Sequence, residues 1–123
     1  MPHTILEYSA NVVDSTDFQP LWGGLHSLLV ATAHCRIQDI KSRAYRCEAF
    51  HMADGDPSCA FVHLTIRLLE GREPEALAQI GTAALELLKS HFFNTLAKRQ
   101  CDITVELAGM RKDCYFKATS RRG

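Results

Sequence analysis

The sequence predicts an α+β fold, a four-stranded mixed sheet with two helices packed on one of its faces. Two observations lead to it. Apolar residues switch between period-two and helical spacing in the order strand–helix–strand, and that order occurs again after a turn at 51–58. A helix that connects two strands of one sheet makes them parallel, with a right-handed crossover. The chain therefore reads as two β-α-β units in a single domain, residues 1–123, because its length leaves no room for a second core.

The first unit opens with a short strand at 2–9, where proline is tolerated as the first residue. Helical spacing begins near Phe18, and the candidates to cap this helix are Asp14, Ser15 and Asp17. Gly23-Gly24 weakens the helix by about 1 kcal/mol per glycine, so tertiary packing must compensate. Period two returns at 39–50, which predicts a strand with Ile40, Ser42 and Ala44 on one face and Lys41, Arg43 and Tyr45 on the other.

The second unit has the strongest strand signal of the chain, at 59–69. Every even position is apolar, whereas the odd positions include Phe61, His63 and Thr65. One face of the sheet should therefore lie under helices and the other should be semi-polar, which favours oligomerisation through that open face. A helix then runs from Pro74 to about residue 98, and a strand at 101–107 is followed by a basic tail.

The composition of the chain excludes several classes of function. Lys plus Arg and Asp plus Glu each total 14, so a nucleic-acid or membrane surface is not expected. The five cysteines and six histidines show no CxxC, HxH or HExxH pattern, which disfavours a metal site. No signal peptide is recognisable, and no apolar run approaches the ~20 residues that span a bilayer. We expect a soluble, reduced, cytoplasmic protein.

Pro2 is the candidate reactive residue. Removal of Met1, which a small second residue permits, would leave a secondary amine, and an α-amino group has a pKa of about 7.7–8.0 in water. Partial burial and nearby cations lower that pKa, which makes the amine a competent general base or a nucleophile toward a carbonyl. The competing interpretation is a proline that only opens a strand.

The cations that could hold an anion beside Pro2 are Lys41, Arg43, Arg46 and Arg72. Arg72 stands out because it lies at a strand-to-helix turn, where loop residues commonly reach ligands. Arginine presents a planar fork that matches a carboxylate, whereas lysine is a point charge.

Several short motifs occur together from residue 1 to about residue 93. They are MPH at 1–3 with Glu7, KSR at 41–43, HMADG at 51–55, FVHLT at 61–65, Gly71-Arg72 and SHFF at 90–93. In combination they make the chain resemble the tautomerase superfamily, and within it the 5-carboxymethyl-2-hydroxymuconate isomerases.

The resemblance implies the tautomerase fold and a homotrimer in which three sheets form an inner barrel. It implies proton transfer in an unsaturated 2-hydroxy or 2-oxo carboxylic acid, in bacterial breakdown of homoprotocatechuate, without metal or organic cofactor. Pro2 matches the catalytic proline and Arg72 matches an arginine of the substrate pocket. Lys41 stands where related isomerases carry a carboxylate-binding arginine, and Arg43 is a secondary substrate-binding candidate.

Two alternatives stay open. The same scaffold supports dehalogenases, hydratases and decarboxylases of small unsaturated acids, which usually need an extra carboxylate to activate water. Glu7, Asp39 or Glu106 would then have to lie near Pro2. The second alternative is a non-catalytic trimeric binding or signalling protein with a vestigial pocket.

Overall fold

The computed structural model describes residues 1–122, so Gly123, the last residue of the expected domain, lies outside the described part. The strands are β1 (His3–Ser9), β2 (Lys41–Cys47), β3 (Cys59–Leu69) and β4 (Gln100–Met110). The helices are α1 (Gln19–Ala33), α2 (Pro74–His91) and α3 (Phe93–Lys98), with short 3₁₀ turns at Ile37–Asp39 and Lys112–Cys114. None of the helices within 1–122 combines the length and apolarity needed to cross a bilayer.

The four strands form one mixed sheet in the order β2-β1-β3-β4. β1 pairs in parallel with β2, β3 pairs in parallel with β4, and β1 runs antiparallel to β3. The prediction of two β-α-β units in an α+β fold is therefore confirmed. His3 lies beside Lys41 on one side and Arg67 on the other, so the starts of β1 and β2 and the end of β3 meet at one edge.

The helices cover one face of the sheet. The even positions of β3 and Leu6 of β1 are buried there against residues of α1 and α2, the fully buried ones including Leu25, Leu29, Ile80, Ala84 and Leu88. A Cβ added to Gly24 would lie 3.3 Å from Leu87 Cδ2, so a glycine allows α1 to approach α2 closely. This close packing compensates for Gly24, whereas a Cβ at Gly23 would meet nothing within 4 Å.

The opposite face is half-buried in the single chain and carries Phe61, His63 and Thr65. His63 hydrogen-bonds through Nδ1 to Thr104 Oγ1 at 2.6 Å and through Nε2 to Glu106 Oε1 at 3.1 Å. The face is thus semi-polar, in agreement with the sequence pattern. Assembly into a trimer through it stays a prediction.

The expectation of one helix from residue 74 to about 98 was wrong. Phe92, with φ −99° and ψ 29°, leaves the helical conformation and separates α2 from α3. Asp14 caps the new start, because its Oδ2 accepts a hydrogen bond from Thr95 N at 2.7 Å and its Oδ1 accepts one from Asn94 N at 3.2 Å. The described chain accordingly has three α-helices rather than two.

Asp14, Ser15 and Asp17 therefore divide the capping between them. Asp14 serves α3, whereas Asp17 Oδ1 accepts a hydrogen bond from Gln19 N, the first residue of α1, at 3.2 Å. Ser15 Oγ accepts one from Asp17 N at 3.1 Å and so supports the turn before the helix. Asp14 could not be assigned to α3 from sequence because the two lie about 80 residues apart.

Candidate functional site

A cavity of about 190 Å³ lies at the edge of the sheet where β1 begins; we call it the Pro2 cavity. It is lined by Met1, Pro2, His34, Cys35, Arg36, Asp39, Leu68, Leu69 and Arg72. These residues come from the start of β1, the loop after α1, the 3₁₀ turn before β2, and the end of β3 with the turn that follows. The topology thus brings Pro2 and Arg72, about 70 residues apart, into one site.

Pro2 is held firmly in the wall of this cavity. Its side chain is fully buried, and its carbonyl oxygen accepts a hydrogen bond from Lys41 N at 3.1 Å. The main chain of β1 is therefore already paired with β2 at the second residue. A group attached to this end of the chain has little freedom to move.

The terminal amine, here on Met1, donates a hydrogen bond to the main-chain oxygen of Asp39 at 3.1 Å and lies 3.9 Å from its Oδ2. Burial lowers the pKa of this amine below its usual 8.0. The negative charge of Asp39 opposes the shift, and the positive charge of Lys41 adds to it. An amine at this end of β1 therefore loses its proton more readily than one in water.

Arg72 is fixed by both walls of the Pro2 cavity. Its Nη1 donates to Leu69 O and its Nη2 donates to Ala33 O, each at 2.9 Å. These bonds set the plane of the guanidinium and leave other N–H groups for an anion. The preceding Gly71 has φ +120°, a backbone conformation that side chains rarely adopt, so a glycine suits the turn that presents the arginine.

Lys41 and Arg43 lie outside the lining of the cavity. Lys41, the first residue of β2, donates from Nζ to Asp39 O at 2.8 Å, so its charge lies close to the terminal amine. Arg43 is two residues further along β2 and its Nη1 donates to His3 Nδ1 at 3.1 Å. The structure therefore brings Lys41 beside the site and directs Arg43 to His3.

His3 connects Arg43 to the C-terminal segment, because its Nε2 lies 2.9 Å from the hydroxyl of Tyr115. Burial lowers the pKa of His3, and the positive charges of Arg43 and Lys41 lower it further. A neutral ring fits the hydrogen bonds, with Nδ1 accepting from Arg43 and Nε2 free to donate to Tyr115.

Of the three carboxylates considered for water activation, only Asp39 lines the Pro2 cavity. Glu106 is paired with His63 on the open face, and Glu7 is exposed on β1. Asp39 Oδ1 also accepts a hydrogen bond from Lys117 Nζ at 3.1 Å.

Sequence reasoning missed His34, Arg36 and Lys117 as residues of this neighbourhood. Their positions depend on long-range packing, and the basic character of the tail was the one signal pointing to Lys117.

A second cavity, of about 260 Å³, shares Leu68, Leu69 and Arg72 with the first. Its remaining lining is mostly apolar and includes Leu77 and Leu107. Arg72 therefore has a charged site on one side and an apolar space on the other. Within residues 1–122, His, Cys, Asp and Glu side chains form no group of three able to hold a metal ion.

Comparisons with known proteins agree with this geometry. The sequence model of a family described as 5-carboxymethyl-2-hydroxymuconate isomerase matches residues 2–122. The 5-carboxymethyl-2-hydroxymuconate Delta-isomerase of Escherichia coli is 32% identical over 117 residues, which cover 95% of this chain and 93% of that protein.

Solved structures agree as well. The crystal structure of a 5-carboxymethyl-2-hydroxymuconate isomerase from Deinococcus radiodurans R1 has a TM-score of 0.87 at 29% identity, covering 97% of this chain and 90% of that one. A fused 4-OT wild type symmetric trimer has a TM-score of 0.71 at 15% identity, covering 93% and 91%, and shares the fold. The predicted tautomerase fold is confirmed by these neighbours.

Proposed function

Because the chain belongs to the 5-carboxymethyl-2-hydroxymuconate isomerase family, we propose that it moves a proton within an unsaturated 2-hydroxy or 2-oxo carboxylic acid, with Pro2 as the general base. The chain is an isomerase of this family, which disfavours the non-catalytic binding protein. The observation that carries the proposal is the Pro2 cavity, which places Pro2 and the cation Arg72 in one small space.

Met1 must be removed before Pro2 can act. While Met1 is present, the nitrogen of Pro2 is an amide without a basic lone pair. Once it is exposed as a secondary amine, burial and the positive charge of Lys41 favour the neutral form, as they do for the Met1 amine. A neutral amine at working pH is the form that accepts a proton.

The proposed mechanism has two proton transfers. Neutral Pro2 takes a proton from the 2-hydroxy group or the adjacent carbon of the substrate, and the protonated amine returns it at a distal carbon. Negative charge spreads through the dienolate between these steps. Arg72 and Lys41 hold the carboxylates and stabilise that charge, which is greatest in the transition state. The residues present require no metal or organic cofactor for this chemistry.

Lys41 has to exchange a partner to take part. Its Nζ bonds the carbonyl of Asp39 in the structure, and its side chain is exposed, so a substrate carboxylate can replace that contact. The point charge of lysine holds an anion without the two-point geometry of arginine. We infer a pocket in which Arg72 orients the substrate and Lys41 contributes charge.

The proposal is tested by comparing protein whose intact mass shows that Met1 is removed with protein that retains Met1. Spectroscopic assay of ketonisation of a 2-hydroxymuconate-type dienol should show a decrease of about 10²–10⁴-fold in the protein that retains Met1, the usual contribution of a general base. Processed Pro2→Ala keeps a primary amine at the terminus and should lose less activity. Wild-type activity in protein that retains Met1 would contradict the mechanism.

A second candidate reaction is favoured by Asp39, which lines the same cavity as Pro2. A carboxylate beside the amine could activate water for hydration, dehalogenation or decarboxylation of a small unsaturated acid. Halide release from a 3-halogenated acrylate, lost in Asp39→Asn, would support it. If a protein that ketonises the dienol releases no halide, this second reaction is contradicted and the isomerase reaction remains.

We further propose a cytoplasmic homotrimer, joined through the open sheet face, that serves catabolism of homoprotocatechuate. The half-buried, semi-polar face with Phe61 and His63 supports such a contact. Light scattering of the purified protein should give three times the 13.8 kDa chain mass. A monomer at assay concentration would contradict the trimer.

A further inference from the structure

The C-terminal segment returns to the beginning of the chain. The hydroxyl of Tyr115 lies 2.9 Å from His3 Nε2, and the two rings meet edge-on with centroids 6.0 Å apart. Two residues later, Lys117 Nζ donates a hydrogen bond to Asp39 Oδ1 at 3.1 Å. These contacts with two separate elements hold the segment beside the Pro2 cavity, because Asp39 is part of its lining.

The Asp39 carboxylate has positive charges on two sides. Oδ1 pairs with Lys117 at 3.1 Å, whereas Oδ2 lies 3.9 Å from the amine of Met1. Lys41 bonds the carbonyl oxygen of Asp39 rather than its carboxylate, and the positive charge of Arg36 also acts on the carboxylate. Of the Met1 amine and Lys117, Lys117 lies closer to the carboxylate.

We propose that Lys117 is a positioning residue of the active site: once removal of Met1 has made Pro2 the terminal residue, the Lys117 ammonium group engages the Asp39 carboxylate and weakens the attraction of this carboxylate for the amine. The proposal rests on the proposed function, since the amine matters only if it is the base. It assigns the C-terminal segment a role in the reaction.

The charges around the amine agree with this role. Burial lowers the pKa of the Met1 amine, Asp39 raises it, and Lys41 and Lys117 lower it. Pro2 and Asp39 line the same cavity, so these charges also surround the amine of Pro2 once Met1 is removed. The hydrogen bond from Lys117 is in turn the largest cause that lowers the pKa of Asp39. Without Lys117, the negative charge of Asp39 acts on the amine with less compensation, so the amine should hold its proton to higher pH.

The groups that face the amine or Asp39 come from every element around the site. They are His34, Cys35 and Arg36 from the loop after α1, Asp39 from the 3₁₀ turn, Lys41 from β2, Arg72 from the turn after β3, and Lys117 from the C-terminal segment. Only Lys117 among these combines an ion pair to the Asp39 carboxylate with a position outside the cavity lining. It can be changed without removing a wall of the site.

The experiment uses the full chain with Met1 removed and proline labelled with ¹⁵N. The pKa of Pro2 is measured by titration of its nitrogen resonance in wild type, Lys117→Ala, Lys117→Gln and Lys117→Arg. We expect a rise of about 0.5–1 unit for Ala and Gln and little change for Arg. On the acidic limb of the pH–rate profile, kcat/KM of the Ala and Gln variants should be about three- to tenfold below wild type, and the high-pH plateau should be unchanged.

Two further proteins test whether Lys117 acts on the Pro2 pKa through Asp39 or only through a general loss of positive charge. In an Asp39→Asn background, Lys117→Ala should lose most of its effect on the Pro2 pKa, because the carboxylate it compensates is absent. Lys98→Ala removes an equal charge from the exposed end of α3 and should leave the pKa unchanged.

An unchanged pKa in both Lys117→Ala and Lys117→Gln would overturn the proposal, as would an undiminished shift in the Asp39→Asn background. The titration does not need turnover, so it remains readable if protein that retains Met1 keeps its activity and the proposed function fails.

Discussion

Arg72 Nη2 donates a hydrogen bond to the main-chain oxygen of Ala33 at 2.9 Å, which ties the turn after β3 to the last residue of α1. The same guanidinium reaches Leu69 O through Nη1 at 2.9 Å. The arginine is therefore both a candidate anion site and a clamp between the two β-α-β units. Lysine has the charge but not the planar fork that spans two carbonyls.

Arg72→Lys should lower kcat/KM for a hydroxymuconate-type dienol by roughly 10–100-fold. The estimate follows from the loss of a charge-assisted hydrogen bond of about 1.5–3 kcal/mol. Steady-state ketonisation assays measure it, with Arg99→Lys as control, since Arg99 contacts Asn11 O at 3.2 Å away from the Pro2 cavity. Equal losses in both variants would mean that Arg72 has no particular place in binding.

Lys41→Arg should lower KM for a dicarboxylated dienol by roughly three- to tenfold, because a fork can then meet the carboxylate at two points. Lys41→Met should raise KM, since the charge is lost. Lys98→Arg is the matched control on an exposed helix end. If all three proteins share the wild-type KM, Lys41 does not touch the substrate.

The stability of the protein should fall as the pH decreases below about 6.5. Burial lowers the pKa of His26 from 6.5, and its Nε2 lies 2.7 Å from Ser42 Oγ, which also contacts Thr4 Oγ1. The unfolded chain therefore binds this proton at higher pH than the folded chain. The free energy of unfolding is then lost as pH falls from the unfolded pKa toward the folded one.

Urea unfolding at about pH 7.5 and about pH 5.5 checks this, with His26→Gln as the comparison. His3, whose pKa is also lowered, contributes to the same slope and remains in the variant. The His26→Gln protein should therefore lose part of the pH dependence. If the free energy of unfolding changes equally with pH in both proteins, His26 does not contribute to the pH dependence.

The two adjacent glycines of α1 should respond in opposite ways to added side chains. A Cβ at Gly23 meets open space, whereas one at Gly24 lies 3.3 Å from Leu87 Cδ2. Gly23→Ala should stabilise by about 0.5–1 kcal/mol through helix propensity. Gly24→Val should destabilise by about 1–3 kcal/mol because it overpacks the contact between α1 and α2.

Denaturant unfolding curves compare the two variants directly. Gly24→Ala lies between them, because Leu87 has to shift by only a few tenths of an ångström. Equal stabilisation by Gly23→Ala and Gly24→Val would show that the helices are not in close contact at this point.

The elements that sequence predicted well are those whose signal is local. β3 matches residues 59–69 because its apolar residues alternate without interruption. The break at Phe92 was missed because Phe92 and Leu96 continue the apolar stripe, and the capping group Asp14 comes from a distant loop. β4 extends to Met110, beyond the predicted residue 107, because pairing with β3 continues where alternation ends.

The residues of the site likewise divide into those with a local sequence signal and those without one. Pro2 and Arg72 were predicted as a pair from a chain end, a turn position and the family resemblance, and the structure places both in one cavity. The contact between Lys117 and Asp39 joins residues 78 positions apart and depends on the path of the tail. No local pattern encodes that path. Arg43 was considered for the substrate and is engaged with His3, so its role stays a prediction.

The amine of Met1 and the ammonium group of Lys117 converge on Asp39. A purification tag fused ahead of Met1 would therefore begin beside Asp39, and it would abolish the free amine. Assays need protein whose chain begins at Pro2. Inactivity of a preparation with an N-terminal tag would show an effect of the tag and would not test the enzyme.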